Sequence, residues 1–441
     1  MTRRHGRRAT AAAATLCLTL LAAAGCQRRR DTATGGGPYA DKVAEAVPRI
    51  EAATGLKFKT PPRAETRSQG EVRQFLERTF NESQGARDLE AKSAVYKRLG
   101  LIPDTLDVRK LLVDVLTEQI VGFYDPKTKV LYIVNGAQPE LVGITVSHEL
   151  VHALQDQYFN LDSLQGVRGD DDRVAAAQAV MEGQAVYDQM SAMLGGDAAT
   201  RIPGGWDRVR QTIREQQSSM PVLGNAPMVI QEGLLFPYLS GAEFMRRFEA
   251  RRPGAVPYGD MPQSTEQILH EDAYFGAKRD VPLRVSLPPP SLASGARSTY
   301  ENDLGEFETR LFLFQHLRDQ NGAIRGAAGW GGDRYAVVST PRGEGLVWVT
   351  VWDTPVDAAE FNDMLGQVVE RRYAGARALR APTPGSGAPA AGDAATRTYQ
   401  SAGRTVAVTT GEVQGRPAVL YVDVPAGAST SLLDLAKVTL R

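Results

Sequence analysis

Cysteine is nearly missing from this chain. The 441 residues include two, Cys17 and Cys26, both close to the N-terminus. The rest of the length therefore excludes disulfides, a thiol nucleophile and a cysteine-held metal. Any metal there must be held by His, Asp or Glu. Histidine is scarce too, at five residues, with none between positions 153 and 269. Neither sign of charge is in excess, since 51 basic residues balance 51 acidic ones. No basic stripe is present to bind nucleic acid. Beyond the N-terminal segment no apolar run approaches the roughly 20 residues that span a bilayer. The length allows two or three domains.

The N-terminus has a basic start, with Arg3, Arg4, Arg7 and Arg8, then a short run of small and apolar residues over 9–25. This is the layout of a secretory signal peptide. Ala23-Ala24-Gly25-Cys26 resembles a bacterial lipobox, in which cleavage precedes the cysteine and lipid is added to its sulfur. The usual leucine three residues before the cysteine is Ala23 here, and plain secretion is the alternative. The resemblance implies a lipoprotein signal over 1–25, lipidation at Cys26 and a membrane partner reached through that lipid. Residues 26–38, rich in Arg and Gly, read as a flexible tether. The expected location is the cell envelope, facing the periplasm or the exterior.

Hydrophobic spacing predicts helices over 41–53, 71–80, 89–99 and 105–119. Two apolar runs around Asp125-Pro126-Lys127-Thr128 predict a hairpin over 120–134. Helices are expected at 139–158, with proline in the first turn, and at 173–194, with a polar loop over 160–172. Further helices are expected at 206–217 and 238–251. Pro288-Pro289-Pro290 closes a first unit, 39–290. In a second unit, 291–441, a helix at 306–317 precedes strands at 334–339 and 345–352 and a helix at 357–371. After a low-complexity linker at 381–395, strands at 405–410 and 418–424 and a helix at 429–440 suggest a strand-strand-helix duplication.

The chemistry gathers at His148-Glu149-Leu150-Val151-His152. Residues four apart share a helix face, so His148 and His152 can present two imidazoles to one ion. Zn2+ favours such nitrogen donors in a tetrahedral set. Glu149 is placed to act as general base for a zinc-bound water. A third ligand is needed, and no histidine follows closely. Glu182, 30 residues after His152, is the best candidate. It sits in an otherwise small and apolar helical stretch, where a buried carboxylate needs a partner. Gly183 beside it would let two helices approach closely. Asp170, Asp171 and Asp172 read instead as a solvated loop.

The HELVH motif with a downstream helical glutamate resembles the gluzincin branch of zinc metallopeptidases. Segments 145–161, 177–186, 262–270 and 329–337, together with 122–134, are similar to a family of bacterial and archaeal surface-associated metallopeptidase-like proteins. The resemblance runs from about residue 40 to 365. It implies an active-site role for Glu182, which matches the family's Glu-Gly, but supplies no substrate; a peptide or protein substrate is what the peptidase reading expects.

Zinc-bound histidines usually pass their other N–H to a carboxylate or carbonyl, and Asp156 and Asp188 are candidates for that role. Tyr187, His270 and Tyr274 are candidates for an oxyanion donor. For His270 the competing reading, slightly favoured, is a structural network that holds its loop. The expected fold is α+β: a mainly helical zincin-like metallopeptidase domain with a small sheet, followed by a smaller α+β domain. The expected function is zinc-dependent peptide-bond hydrolysis. The alternative is a retired metallopeptidase-like lipoprotein that binds or scaffolds.

Overall fold

The computed structural model describes residues 38–81, 83–161, 167–194, 205–291, 294–373, 377–379, 395–401 and 403–441. The expected leader, Cys26 and nearly all of the tether lie outside these residues, as does the linker over 381–394.

The architecture mixes helices with two main sheets. Helix α1 (Ala40–Thr54) leads into strand β1 (Arg63–Arg67). Helices α2 (Gln69–Asn81), α3 (Ser83–Leu99) and α4 (Val108–Gln119) follow. Strands β2 (Gly122–Asp125) and β3 (Val130–Val134) form the expected hairpin. β1 pairs with β3 in parallel, so this small sheet has the order β1-β3-β2 and β2 is an edge. Helices α5 (Pro139–Tyr158), α6 (Asp171–Leu194), α7 (Gly205–Ser218) and α8 (Met228–Arg251) come next, then the short α9 (Thr265–Leu269) and the two-residue strand β4 (Val285–Ser286).

The C-terminal region is built on an antiparallel sheet of order β5-β6-β7-β11-β10-β9-β8. Its strands are β5 (Arg297–Asn302), β6 (Trp330–Thr340), β7 (Gly343–Trp352), β8 (Arg377–Leu379), β9 (Ala395–Gln400), β10 (Arg404–Val413) and β11 (Arg416–Pro425). Helices α10 (Gly305–Leu317), α11 (Gln320–Ala327) and α12 (Pro355–Arg372) interrupt the strand order. Both faces of this sheet are buried, so its central strands read as almost unbroken apolar runs. Along β7, Leu346, Trp348 and Trp352 face one core, and Val347, Val349 and Val351 face another. The first core is continuous with the helical part and includes Leu76, Leu99, Leu112 and Phe123. Trp348 packs edge-on against Phe312 and Phe361, each with ring centres 5.6 Å away.

Several expectations need correction. The helix expected at 429–440 is absent. Instead Leu432, Leu435 and Val438 lie across the second face of the sheet, and a 3-10 turn at Leu435–Lys437 leads to the short strand Thr439–Leu440. Apolar residues three apart mimic a helix, but here they cover a flat surface. The duplication therefore lacks its second helix. Helix α8 begins ten residues before its expected start at 238 and runs through Pro237. Asp171 and Asp172 form the first turn of α6 rather than a loop.

The tightest helix contact is between α6 and α8. A Cβ placed on Gly183 would overlap the backbone of Gly241, and one on Gly241 would overlap the carbonyl of Ala179. No side chain fits between these backbones, so Gly183→Ala should destabilise the fold by about 1–3 kcal/mol through overpacking. Gly233→Ala, in the same helix α8 but in open space, should stabilise it by about 0.5–1 kcal/mol. Thermal melts of the two variants read this opposite sign directly.

Candidate metal centre

Helix α5 starts on Pro139 at its first turn and buries one side, with Val142, Val146, Leu150 and Leu154 in a core cluster shared with α1 and β3. Its register then fixes where the polar residues go. His148 and His152 fall on one face, with ring centres 4.9 Å apart and planes at 84°. Helix α6 crosses this face and presents Glu182, which is 1% exposed. Glu182 Oε2 lies 3.2 Å from His148 Nε2 and 3.3 Å from His152 Nε2. Ligands of a tetrahedral ion at about 2.0–2.1 Å stand roughly 3.3–3.4 Å apart. The spacing thus fits a shared ion.

The tautomer of His152 follows from its partners. Gln155 Nε2 donates to Met181 O at 2.9 Å and to Gln184 Oε1 at 3.0 Å. Gln155 Oε1 must then be the acceptor facing His152 Nδ1, 2.8 Å away. An N–H on Nδ1 leaves Nε2 as a bare lone pair aimed at Glu182. His148 Nδ1 likewise meets Gln189 Oε1 at 3.2 Å. Three lone-pair donors face one another in a mostly buried site, and Glu182 Oε1 is buried with no hydrogen-bond partner. Such a set requires a cation or a proton between its members. With only protons on offer, burial works against charge on His152, but the Glu182 carboxylate outweighs it and raises the pKa to about 9. Burial pushes Glu182 up, yet the two imidazoles prevail and hold it well below the usual carboxylate range. The donor set of two imidazole nitrogens and one carboxylate oxygen is what a zinc ion takes when one position is left open.

Glu149 lies beside this set and is buried. Its Oε2 accepts the backbone N–H of Tyr124, from edge strand β2, at 2.7 Å. Burial raises its pKa, the two imidazoles oppose that rise, and Glu182 adds to it. His148 and Glu149 open onto a cleft of about 500 Å³. Its walls come from the α4–β2 turn (Ile120 to Gly122), α6 (Val186, Gln189, Met190), α7 (Val209, Ile213) and α8 (Tyr238). The Tyr238 ring stacks on His148, with centres 6.0 Å apart.

The four motif residues expected to act together, His148, Glu149, His152 and Glu182, are therefore adjacent. The expected supporting residues are not where the sequence put them. Asp156 accepts from Tyr124 Oη at 2.8 Å and pairs with Lys129 at 2.5 Å, not with a histidine. Asp188 has a hydrogen bond to Gln184, one step behind Gln155. Tyr187 is packed near the Phe244 cluster. His270 meets Glu306 at 2.9 Å and Arg310 at 2.8 Å, the structural network of the competing reading. Tyr274 is buried and donates to Asp260 O at 2.5 Å. Asp171 pairs with Lys92 at 2.8 Å, and Asp172 accepts from Thr265 N at 3.1 Å. The histidine partners are glutamines, Gln155 and Gln189, which carry no charge and give no motif. Spacing offers one faint signal: Gln155 lies three residues after His152, and Gln189 seven after Glu182.

Residues 294–419 match a family described as Domain of unknown function (DUF8575). That stretch covers β5 to β10, the start of β11 and the helices α10 to α12, and leaves α5 and α6 outside. No curated protein matches the chain, and no solved structure matches it.

Two outcomes test this geometry. Gln155→Leu removes the acceptor that fixes His152, and should weaken zinc affinity by about 10–100-fold in a chelator competition. Burial raises Asp188 to about 7, with Gln184 opposing and Glu249 adding. The folded chain then holds a proton that the unfolded chain has lost above about pH 4, so stability falls as pH rises through about 4 to 7. Asp188→Asn escapes that loss. Its Tm advantage over the wild type should grow across this window and level off above it.

Proposed function

We propose that the protein is a zinc-dependent peptidase of gluzincin type acting at the cell envelope. One observation carries the reading: Glu182 Oε2 stands against the Nε2 atoms of both motif histidines, with Glu149 beside them at the mouth of a cleft. Zinc held by His148, His152 and Glu182 supplies Lewis acidity and lowers the pKa of a water towards about 7.

The remaining roles belong to the chain. Tyr124 N–H holds Glu149 Oε2, which leaves Oε1 to accept a proton from the attacking water and return it to the leaving amine. Burial raises the Glu149 pKa, which makes the return step easier. On β2, Val134 N donates to Val121 O at 2.8 Å, so alternation along the ladder turns the Gly122 N–H and C=O outwards, on the cleft side. An extended peptide can pair with that edge. Val186, Met190, Val209 and Ile213 give the cleft an apolar wall, which favours an apolar side chain near the scissile bond. Tyr238 replaces His270 and Tyr187 as the candidate oxyanion donor.

No helix among the described residues is long and apolar enough to cross a membrane. Attachment through lipid on Cys26 is the route we propose.

The test uses the purified protein with measured zinc content and a fluorogenic peptide library. Glu149→Gln should keep near-stoichiometric zinc and lose about 10²–10⁴-fold in turnover. Glu182→Gln should lose the metal. Zinc without cleavage in the wild type would move the binding-lipoprotein reading into first place, and no zinc after reconstitution would sink the metal assignment.

A further inference from the structure

Two segments that stood out in the sequence, 262–270 and 329–337, supply no group to the His148–Glu182 centre. They meet elsewhere. Ser264 caps α9 by accepting from Gln267 N, and Asp172 of α6 accepts from Thr265 N. Asp333 accepts from the backbone of Leu304 and Gly305 and from the indoles of Trp330 and Trp348. These bonds lock α6, α9, α10 and the large sheet together.

One residue at this joint is left over. Glu266 is 4% exposed, and its Oε2 is buried without a hydrogen-bond partner. Carboxylate oxygens of Glu266, Asp280 and Asp353 lie within 4.8 Å of one another. Each is fixed through its backbone: Glu266 by α9, Asp280 by Gln267 Nε2 and by Ala273 O at 2.9 Å, and Asp353 by Gly329 O at 2.9 Å. The charges that weigh most on Glu266 are all carboxylates, from Glu306, Asp280, Asp353 and Asp172. Glu306 is already engaged with Arg310 and His270. The base that touches the cluster, Arg416, stands at its rim, 3.7 Å from Asp353 Oδ1. Three converging acids with so little positive charge need either protons or a cation.

The donors are all oxygen, which selects hard ions over zinc or copper. Oxygens on opposite sides of an ion at about 2.3–2.6 Å are about 4.6–5.2 Å apart, and the observed span falls within that reach. Asp280 and Asp353 are partly exposed, which leaves room for waters to complete six to eight ligands. We propose that Glu266, Asp280 and Asp353 form a calcium site that ties α9 and the loop after it to the end of β7. The site is separate from the zinc reading and does not depend on it. It acts as a clamp between the helical part and the sheet. Without the ion the three acids crowd one another, a repulsion that Glu266→Gln would relieve.

The experiment treats the purified full chain with EGTA and then adds CaCl2 or MgCl2, with Tm and titration calorimetry as readouts. Calcium should bind at one ion per chain and raise Tm by about 3 °C at a hundredfold excess over Kd. Glu266→Gln and Asp353→Asn should each weaken calcium binding by about tenfold or more and lose the Tm shift. Glu182→Gln, which lacks the zinc ligand, should keep it. In EGTA, Glu266→Gln should melt no lower than the wild type, which separates a lost site from a lost fold. The proposal is overturned if millimolar calcium leaves Tm and heat unchanged, if magnesium acts and calcium does not, or if both variants keep the full response.

Discussion

Helix α6 is enclosed by protein along most of its length, so each polar side chain on it must find its partner inside the molecule. That constraint organises the rest. Asp171 takes Lys92, Asp172 takes Thr265, and Glu182 takes two histidines. Gln184 takes Gln155 and the hydroxyl of Tyr258. The contact at Gly183 and Gly241 sets how deep the helix lies, and therefore how closely Glu182 approaches α5. A carboxylate one residue from such a close approach of two helix backbones has little freedom to drift, and a metal ligand needs that fixity.

The two acidic centres show how neighbours decide chemistry. Glu182 and Glu266 are both almost fully buried, and both have an oxygen without a hydrogen-bond partner. Around Glu182 stand imidazoles, which keep it ionised. Around Glu266 stand other acids, which together with burial raise its pKa. Nitrogen donors and a single carboxylate suit a borderline-soft ion, and oxygen alone suits a hard one.

Long periodic elements were legible in the sequence. Helix α5 spans 139–158 as its proline and apolar spacing predict, and the hairpin around Asp125-Pro126 forms. The cluster of His148, His152 and Glu182 was legible because imidazole and buried carboxylate are rare and chemically marked. Their supports were not. Glutamine does not announce a role, and Asp156 was the obvious partner until Tyr124 and Lys129 claimed it from the hairpin. The C-terminal segment misled because Leu432, Leu435 and Val438 cover a sheet at helical spacing. Helix α8 starts earlier than its spacing predicts and holds within it Pro237, a residue that usually ends or kinks a helix.

The core shared between the N-terminal helices and the large sheet bears on how the chain is made. Tyr96 of α3 donates to Glu308, 212 residues later, and His316 donates to Leu99 O across 217 residues. A ribosome releases α3 and α4 long before it has synthesised the residues that cover them. Their apolar faces toward the sheet stay uncovered until α10 and the large sheet have been made. The N-terminal half of this protein is thus an unfinished surface, and its last strands act as the closing step of assembly.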